Sequence, residues 1–123
     1  MTRGEHQFFD ILEEVVGNKY YLFPQIHLST ILDHKAKGQS WMGAFMHINQ
    51  KSVDYVICDK NYIKPLLAIE LDDKSHERAD RQERDVEVER ILNGAGLPLL
   101  RVPERDSYDK VKLSQEIDQK ILK

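Results

Sequence analysis

Two short runs, SVDYVICD at residues 52–59 and LLAIELD at 66–72, are apolar at almost every position, and yet each carries carboxylates. Runs this short, with so little polar alternation, read as strands covered on both faces, as in a sheet packed between helices. A charge inside such a strand is costly unless it is paired or meets a cation. Glu70 and Asp72 stand two apart, so a regular strand projects both to one face and Leu71 to the other. Lys60-Asn61-Tyr62 and Lys64-Pro65 between the runs read as a turn. A hairpin of the two strands then brings Asp54 beside Glu70 and Asp72, in a register that is inferred. Three converging carboxylates repel one another without a cation, and a hard divalent ion such as magnesium suits oxygen ligands. The alternative is ordinary turn chemistry, with Asp72-Asp73 ending a strand in solvent and Asp54 capping a bend.

The flanking segments supply the covering layers. In EHQFFDILEEVV, residues 5–16, Phe8, Phe9, Leu12 and Val15/Val16 recur at helical spacing, and Gly17-Asn18 stops the pattern. The aromatic and branched run 20–29, YYLFPQIHLS, reads as a strand whose Pro24 favours an edge position or a bulge. Residues 30–51 read as a loop with one or two short helical turns. A charged helix is predicted over about 77–93, ended by Gly94-Ala95-Gly96, then a strand over 97–102, LPLLRV. The last helix, 109–122, places Val111, Leu113, Ile117 and Ile121 on its apolar face. The order α-β-β-β-α-β-α, with a β-α-β crossover, predicts an α/β fold with a central mixed sheet of four strands flanked by helices. At 123 residues the chain is the size of one domain, 1–123, and it is also compatible with a segment of a longer protein.

Charge and cysteine usage narrow the partners and the compartment. A net charge of −3 excludes a broad basic surface of the kind that binds nucleic acid without regard to sequence, so a nucleic-acid partner must be met by a local patch. The single cysteine, Cys58, lies in an apolar run, reads as a core residue, and suits the reducing cytoplasm. No run of about 18 uncharged apolar residues exists, and Met1 to His6 lack the apolar core of a signal peptide, so no membrane contact is expected.

The charged helix adds two cations to the acidic centre. Arg81, Arg84, Val88, Ile91 and Ala95 follow spacings of three and four, which sets both arginines on the stripe that faces the sheet. Arginine there either grips a phosphate or belongs to a solvated helix laced with pairs such as Asp80–Arg84. His76, four residues beyond Asp72, is a candidate proton acceptor near neutral pH.

With these residues in place, the run LLAIELDDKSHERADRQERDVEVERILNGAGLPLLRV, preceded by SVDYVICD, resembles a domain family of unassigned function in the PD-(D/E)XK nuclease superfamily, similar to the very-short-patch-repair endonucleases. The resemblance runs from Glu5 through the last helix, and rests on Asp54, the Glu70-Leu71-Asp72 to His76 segment, Arg84-Asp85 and GLPLLRV. It implies a restriction-endonuclease-like core in which Glu5 is the acid of the first helix, Asp54 and Glu70 are the two signature acids, and Gln25 points a polar group into the site. Leu71 is implied as a metal ligand through its backbone carbonyl. The signature expects a lysine two residues after the second acid, where this chain has Asp72. The work of that lysine then falls to Lys74, His76 or Arg84.

The expectation is therefore a magnesium- or manganese-dependent DNA phosphodiester hydrolase using a metal-activated water. Asp54, Glu70, Asp72, Leu71 and Glu5 are its metal ligands; Glu70, Asp72, His76, Lys74 and Arg84 are its catalytic groups; Gln25, Arg81 and Arg84 meet the substrate. The competing expectations are an inactive nuclease-fold module that binds nucleic acid or protein, and a metal-binding structural domain.

Overall fold

The computed structural model describes residues 2–28, 52–72 and 79–122, with side chains described from residue 86 onward in the last of these stretches. The expected loop at 30–51 lies outside the described residues, as do Lys74 and His76. The described elements run α1 (Arg3–Val16), β1 (Tyr21–His27), β2 (Ser52–Cys58), β3 (Pro65–Asp72), α2 (Ala79–Gly94), β4 (Leu99–Pro103) and α3 (Lys110–Ile121). Together they make an α/β domain with an open, mixed sheet of four strands in the order β1-β2-β3-β4 and three helices.

β1 and β2 pair antiparallel, as do β2 and β3, while β3 and β4, joined through α2, pair parallel. The β2–β3 turn is built by Asp59, whose Oδ1 accepts from the backbone N–H of Tyr62 at 2.9 Å and of Lys64 at 3.0 Å. These bonds hold Ile63 at a φ of 56°, a left-handed conformation that a β-branched residue adopts only when its surroundings impose it. At the other edge, Pro24 pairs with Tyr55 and Ile26 with Val53, while Gln25 between them has a φ of 50° and drops out of the ladder. β1 is thus the edge strand that Pro24 predicts, interrupted at Gln25.

α1 begins with a capping box: the Glu5 N–H donates to Thr2 Oγ1 at 3.1 Å and the Thr2 N–H donates to Glu5 Oε1 at 2.7 Å. Its Phe8, Leu12 and Val16, four apart, bury one stripe against the sheet. With Leu113 and Ile117 of α3 they cover Tyr55, Ile57, Leu67, Ile69, Leu71, Leu100 and Val102. α2 covers the opposite face, packing Val88 and Leu92 on Val56, Cys58, Ala68 and Leu99. α2 ends where Leu97 N–H reaches Leu92 O at 2.9 Å and Gly96 N–H reaches Asn93 O at 3.0 Å. Gly96 sits there at a φ of 77°, the position in this cap that glycine fills without a side-chain penalty.

Cys58 is buried, in keeping with a core role. On α2, Val88 is buried and Ile91 and Ala95 pack against the same core, as their spacing predicts, with Leu92 fully buried beside them. One phase assignment changes. Val111 is 69 % exposed: it lies across the helix from the Leu113–Ile117–Ile121 row, whose spacing of four defines the buried side of α3. No helix among the described residues is long and apolar enough to cross a membrane.

Candidate functional site

The antiparallel pairs Tyr55–Ile69 and Val56–Ala68 carry Asp54 to the level of Glu70 on the adjoining strand. Regular alternation breaks at this point in β2. Val53 and Val56, three apart, both pack into the core on the α2 side. Asp54 turns its carboxylate toward β3, where Oδ2 accepts the Leu71 N–H at 2.7 Å. Because the N–H and C=O of one residue point to the same side of a strand, the Leu71 carbonyl also faces β2 and Asp54. The alternate residues of β3 point the other way: the Ala68 N–H meets Pro98 O at 3.0 Å, and Asp72 O accepts from the Glu104 N–H at 2.8 Å.

Glu5 reaches the same place from the first turn of α1, where its side chain interacts directly with Asp54. The backbone beneath it is fixed by Tyr55, whose hydroxyl donates to the Glu5 carbonyl at 2.5 Å. The Tyr55 ring is fully buried, edge-on to Phe8 with centroids 5.5 Å apart. Burial first, then the charges of Asp54 and Glu5, push the Tyr55 phenol far above its ordinary value, so it stays protonated and serves as a donor. Glu104 approaches from the end of β4, with its carboxylate so close over Gly4 that a Cβ there would lie 2.0 Å from Oε1.

Asp54 is the half-buried centre of this group. Burial raises its carboxyl above the usual 3.8. The Leu71 N–H and a hydrogen bond with Glu70 pull it down, while the charge and hydrogen bond of Glu5 push it up again. Carboxylate oxygens gathered in this way are hard donors of the kind a divalent cation takes. In donor chemistry the residues fit such an ion. In this arrangement, among the described residues, no group of three acidic, histidine or cysteine side chains stands as a ready-made cage for one.

The remaining residues expected at the site divide into three groups. Asp72 faces β4, where Arg101 Nη1 lies 3.4 Å from its Oδ1. Gln25, exposed, stands on β1 between the pairs that bracket Asp54. Arg81 and Arg84 lie in the first half of α2, but their side chains are outside the description.

Two residues near the acids escape a reading of the sequence by acidic motif. Arg101 is level with Glu70 in the parallel β3–β4 register, and its Nε lies 3.9 Å from Glu89 Oε2 of α2. Its signal was present as the one charge within the otherwise apolar LPLLRV, the same anomaly that marks Asp54. Tyr55 left no such signal, because an aromatic residue in a buried strand is ordinary core.

A search of curated proteins and of solved structures finds no match. The profile of a family described as protein of unknown function, DUF2726, matches residues 1–121.

Proposed function

The chain belongs to the DUF2726 family, and from its site we propose that it is a metal-dependent hydrolase of DNA phosphodiester bonds. The observation that carries this reading is the meeting of Glu5, Asp54 and Glu70, from a helix and two strands far apart in sequence, in a half-buried place where acids share hydrogen bonds. A domain selected for stability alone gains nothing from such crowding, since the desolvation of clustered carboxylates opposes folding. A mixed sheet with helices on both faces, an acid on the first helix and acids on paired central strands support a restriction-endonuclease-like core of the PD-(D/E)XK kind, similar to the very-short-patch-repair endonucleases.

In this reading the carboxylates of Glu5, Asp54 and Glu70 and the carbonyl of Leu71 hold magnesium or manganese. Such an ion, when bound, supplies Lewis acidity at a phosphoryl oxygen and a more acidic water. Tyr55 holds the Glu5 backbone and so keeps the helix acid against the strand acids. His76 is the proposed proton acceptor. Lys74 and Arg84 take up the work of the absent signature lysine, and Gln25 and Arg81 meet the nucleic acid. Asp72, engaged by Arg101, acts by orienting a cation.

The test is cleavage of single-stranded, duplex and mismatched DNA with magnesium or manganese and a chelator control. Glu70→Gln is expected to lower the rate by about 10²–10³-fold or more, the scale of removing one electrostatic contributor from an active site, with circular dichroism unchanged. Cleavage that survives Glu70→Gln comes from a contaminant. If wild type cuts none of the substrates, the hydrolase reading fails in favour of a nuclease-fold module that binds nucleic acid or protein.

A further inference from the structure

We propose that the β2–β3 turn, with the start of β1 beside it, is a binding surface for unpaired nucleotides, in which Tyr62 stacks on a base and Lys19, Lys60 and Lys64 meet phosphates. The turn reads Asp59-Lys60-Asn61-Tyr62-Ile63-Lys64, and the pairing of Tyr21 with Cys58 sets β1 alongside its base. At its tip Tyr62 is 82 % exposed and Ile63 53 % exposed. The two bonds from the Tyr62 and Lys64 N–H groups to Asp59 fix the backbone that carries them. Ile63 is held at a φ of 56°, a conformation unfavourable for a β-branched residue, and yet its side chain is left largely in solvent. Core packing does not account for that choice. An exposed aromatic on a fixed backbone has little freedom left to lose when a partner stacks on it.

Lysines flank these rings. Lys60 Nζ lies 4.2 Å from the centroid of the Tyr21 ring, and the Phe23 ring, on the same face of β1, is 6.2 Å from Tyr21 between centroids. Lys19, Lys60 and Lys64 are all exposed. The acid of the turn, Asp59, has one oxygen engaged by the turn's own N–H groups. A chain of net charge −3 meets phosphates through a local patch, and lysines around exposed tyrosines bring charge for the backbone and π-faces for the bases. Paired bases hide their faces, so the fit is to a single strand. The surface is a separate place from the acidic centre, because the five steps of β2 from Asp54 to Asp59 span about 16 Å of extended chain. A single strand held at the turn and passing along β1 reaches Gln25 and Asp54 over that length, which gives the proposed hydrolase a hold on its substrate. The structural alternative is that Tyr62 and Ile63 are isolated surface side chains, of the kind that needs no function.

The experiment uses the whole chain with a chelator present, so that binding is read apart from the acidic centre and from cleavage. Anisotropy of a short labelled oligothymidylate is followed across salt concentrations. Tyr62→Ala is expected to weaken binding about tenfold, the scale of one lost base stack, and Tyr62→Phe to keep it. Lys60→Gln and Lys64→Gln should each lower the slope of log affinity against log salt by about 0.7. Because Tyr62 is exposed, its variants should melt as wild type does, and circular dichroism checks that they fold. A folded Tyr62→Ala with wild-type affinity overturns the proposal, as does a wild type that binds no oligonucleotide. So does a duplex bound as tightly as the single strand, or a polyglutamate peptide bound more tightly through Tyr62, which makes the turn a surface for an acidic protein. With manganese in place of the chelator, kcat and KM on the same single strand separate the two readings. Binding through Tyr62 in a protein that cleaves nothing sinks the hydrolase and leaves this surface standing. Cleavage with a KM indifferent to Tyr62→Ala does the reverse.

Discussion

Asp54 and Asp59 lie five positions apart, one inside β2 and one just past its end, and their carboxyls are displaced in opposite directions. Asp59, in the turn, is drawn below the usual 3.8 by the N–H groups of Lys64 and Tyr62, which favour its charged form. Asp54 is raised because burial comes first and Glu5 adds to it, against the pull of Leu71 and Glu70. One aspartate has backbone donors enough for its charge and builds a turn. The other has acids for neighbours, and in the function proposed above it is a metal ligand. An identical side chain on one strand marks scaffold in one place and a candidate binding centre in the other.

The largest effect expected from this contrast is in metal response. Magnesium or manganese should stabilise the wild type by roughly 2.7 kcal/mol at a hundredfold excess over Kd, the ordinary mass-action result. Asp54→Asn should cancel that gain and raise Tm without metal at neutral pH, because Asn still accepts the Leu71 N–H and brings no charge. Thermal melts with and without manganese measure both. An equal shift in Asp54→Asn would place the ion elsewhere and break the comparison.

Tyr55→Phe comes next in size. Ring packing on Phe8 survives while the bond to the Glu5 carbonyl is lost, at about 1 kcal/mol by the usual net value of a hydrogen bond. The metal-induced shift should shrink as well, although the variant removes no proposed ligand. A normal metal response in a destabilised Tyr55→Phe would show that the Glu5 backbone needs no such anchor.

The smallest effects separate the two aspartates by pH. The raised Asp54 contributes stability that is fully present below 3.8 and lost as pH rises through its folded value. The lowered Asp59 contributes stability that is present above 3.8 and lost as pH falls through its folded value. Denaturant melts of the metal-free protein should therefore show Asp59→Asn flattening the limb below 3.8 and Asp54→Asn flattening the limb above it. The metal response of Asp59→Asn should equal that of wild type. Interchanged limbs would contradict the assignment.

What could be read beforehand follows from how local each signal is. The hairpin of β2 and β3 was legible because two apolar runs and a turn are adjacent in the chain, and the level of Asp54 with Glu70 follows once the strands pair. Pro24 announced an edge because it lacks an N–H, but the left-handed Gln25 beside it had no signature of its own. Glu5 came only through resemblance: nothing in the spacing of a first-turn glutamate distinguishes a cap from a site acid, and here it is in contact with both Thr2 and Asp54. Arg101 stands out in the sequence only as one charge in an apolar strand, and its level with Glu70 depends on a parallel register that a distant crossover sets.

The interruption of β1 has a consequence for the fate of the protein at high concentration. An uninterrupted outer strand is a template on which another chain can extend the sheet, and from there amyloid-like stacking can grow. Pro24 withholds a donor, and the left-handed turn of Gln25 bends the row of peptide groups one residue later. Along this border, among the described strands, the polar groups of the backbone no longer repeat at the spacing an incoming strand requires. The same irregularity that sets Gln25 next to Asp54 therefore also guards the domain against self-recruitment.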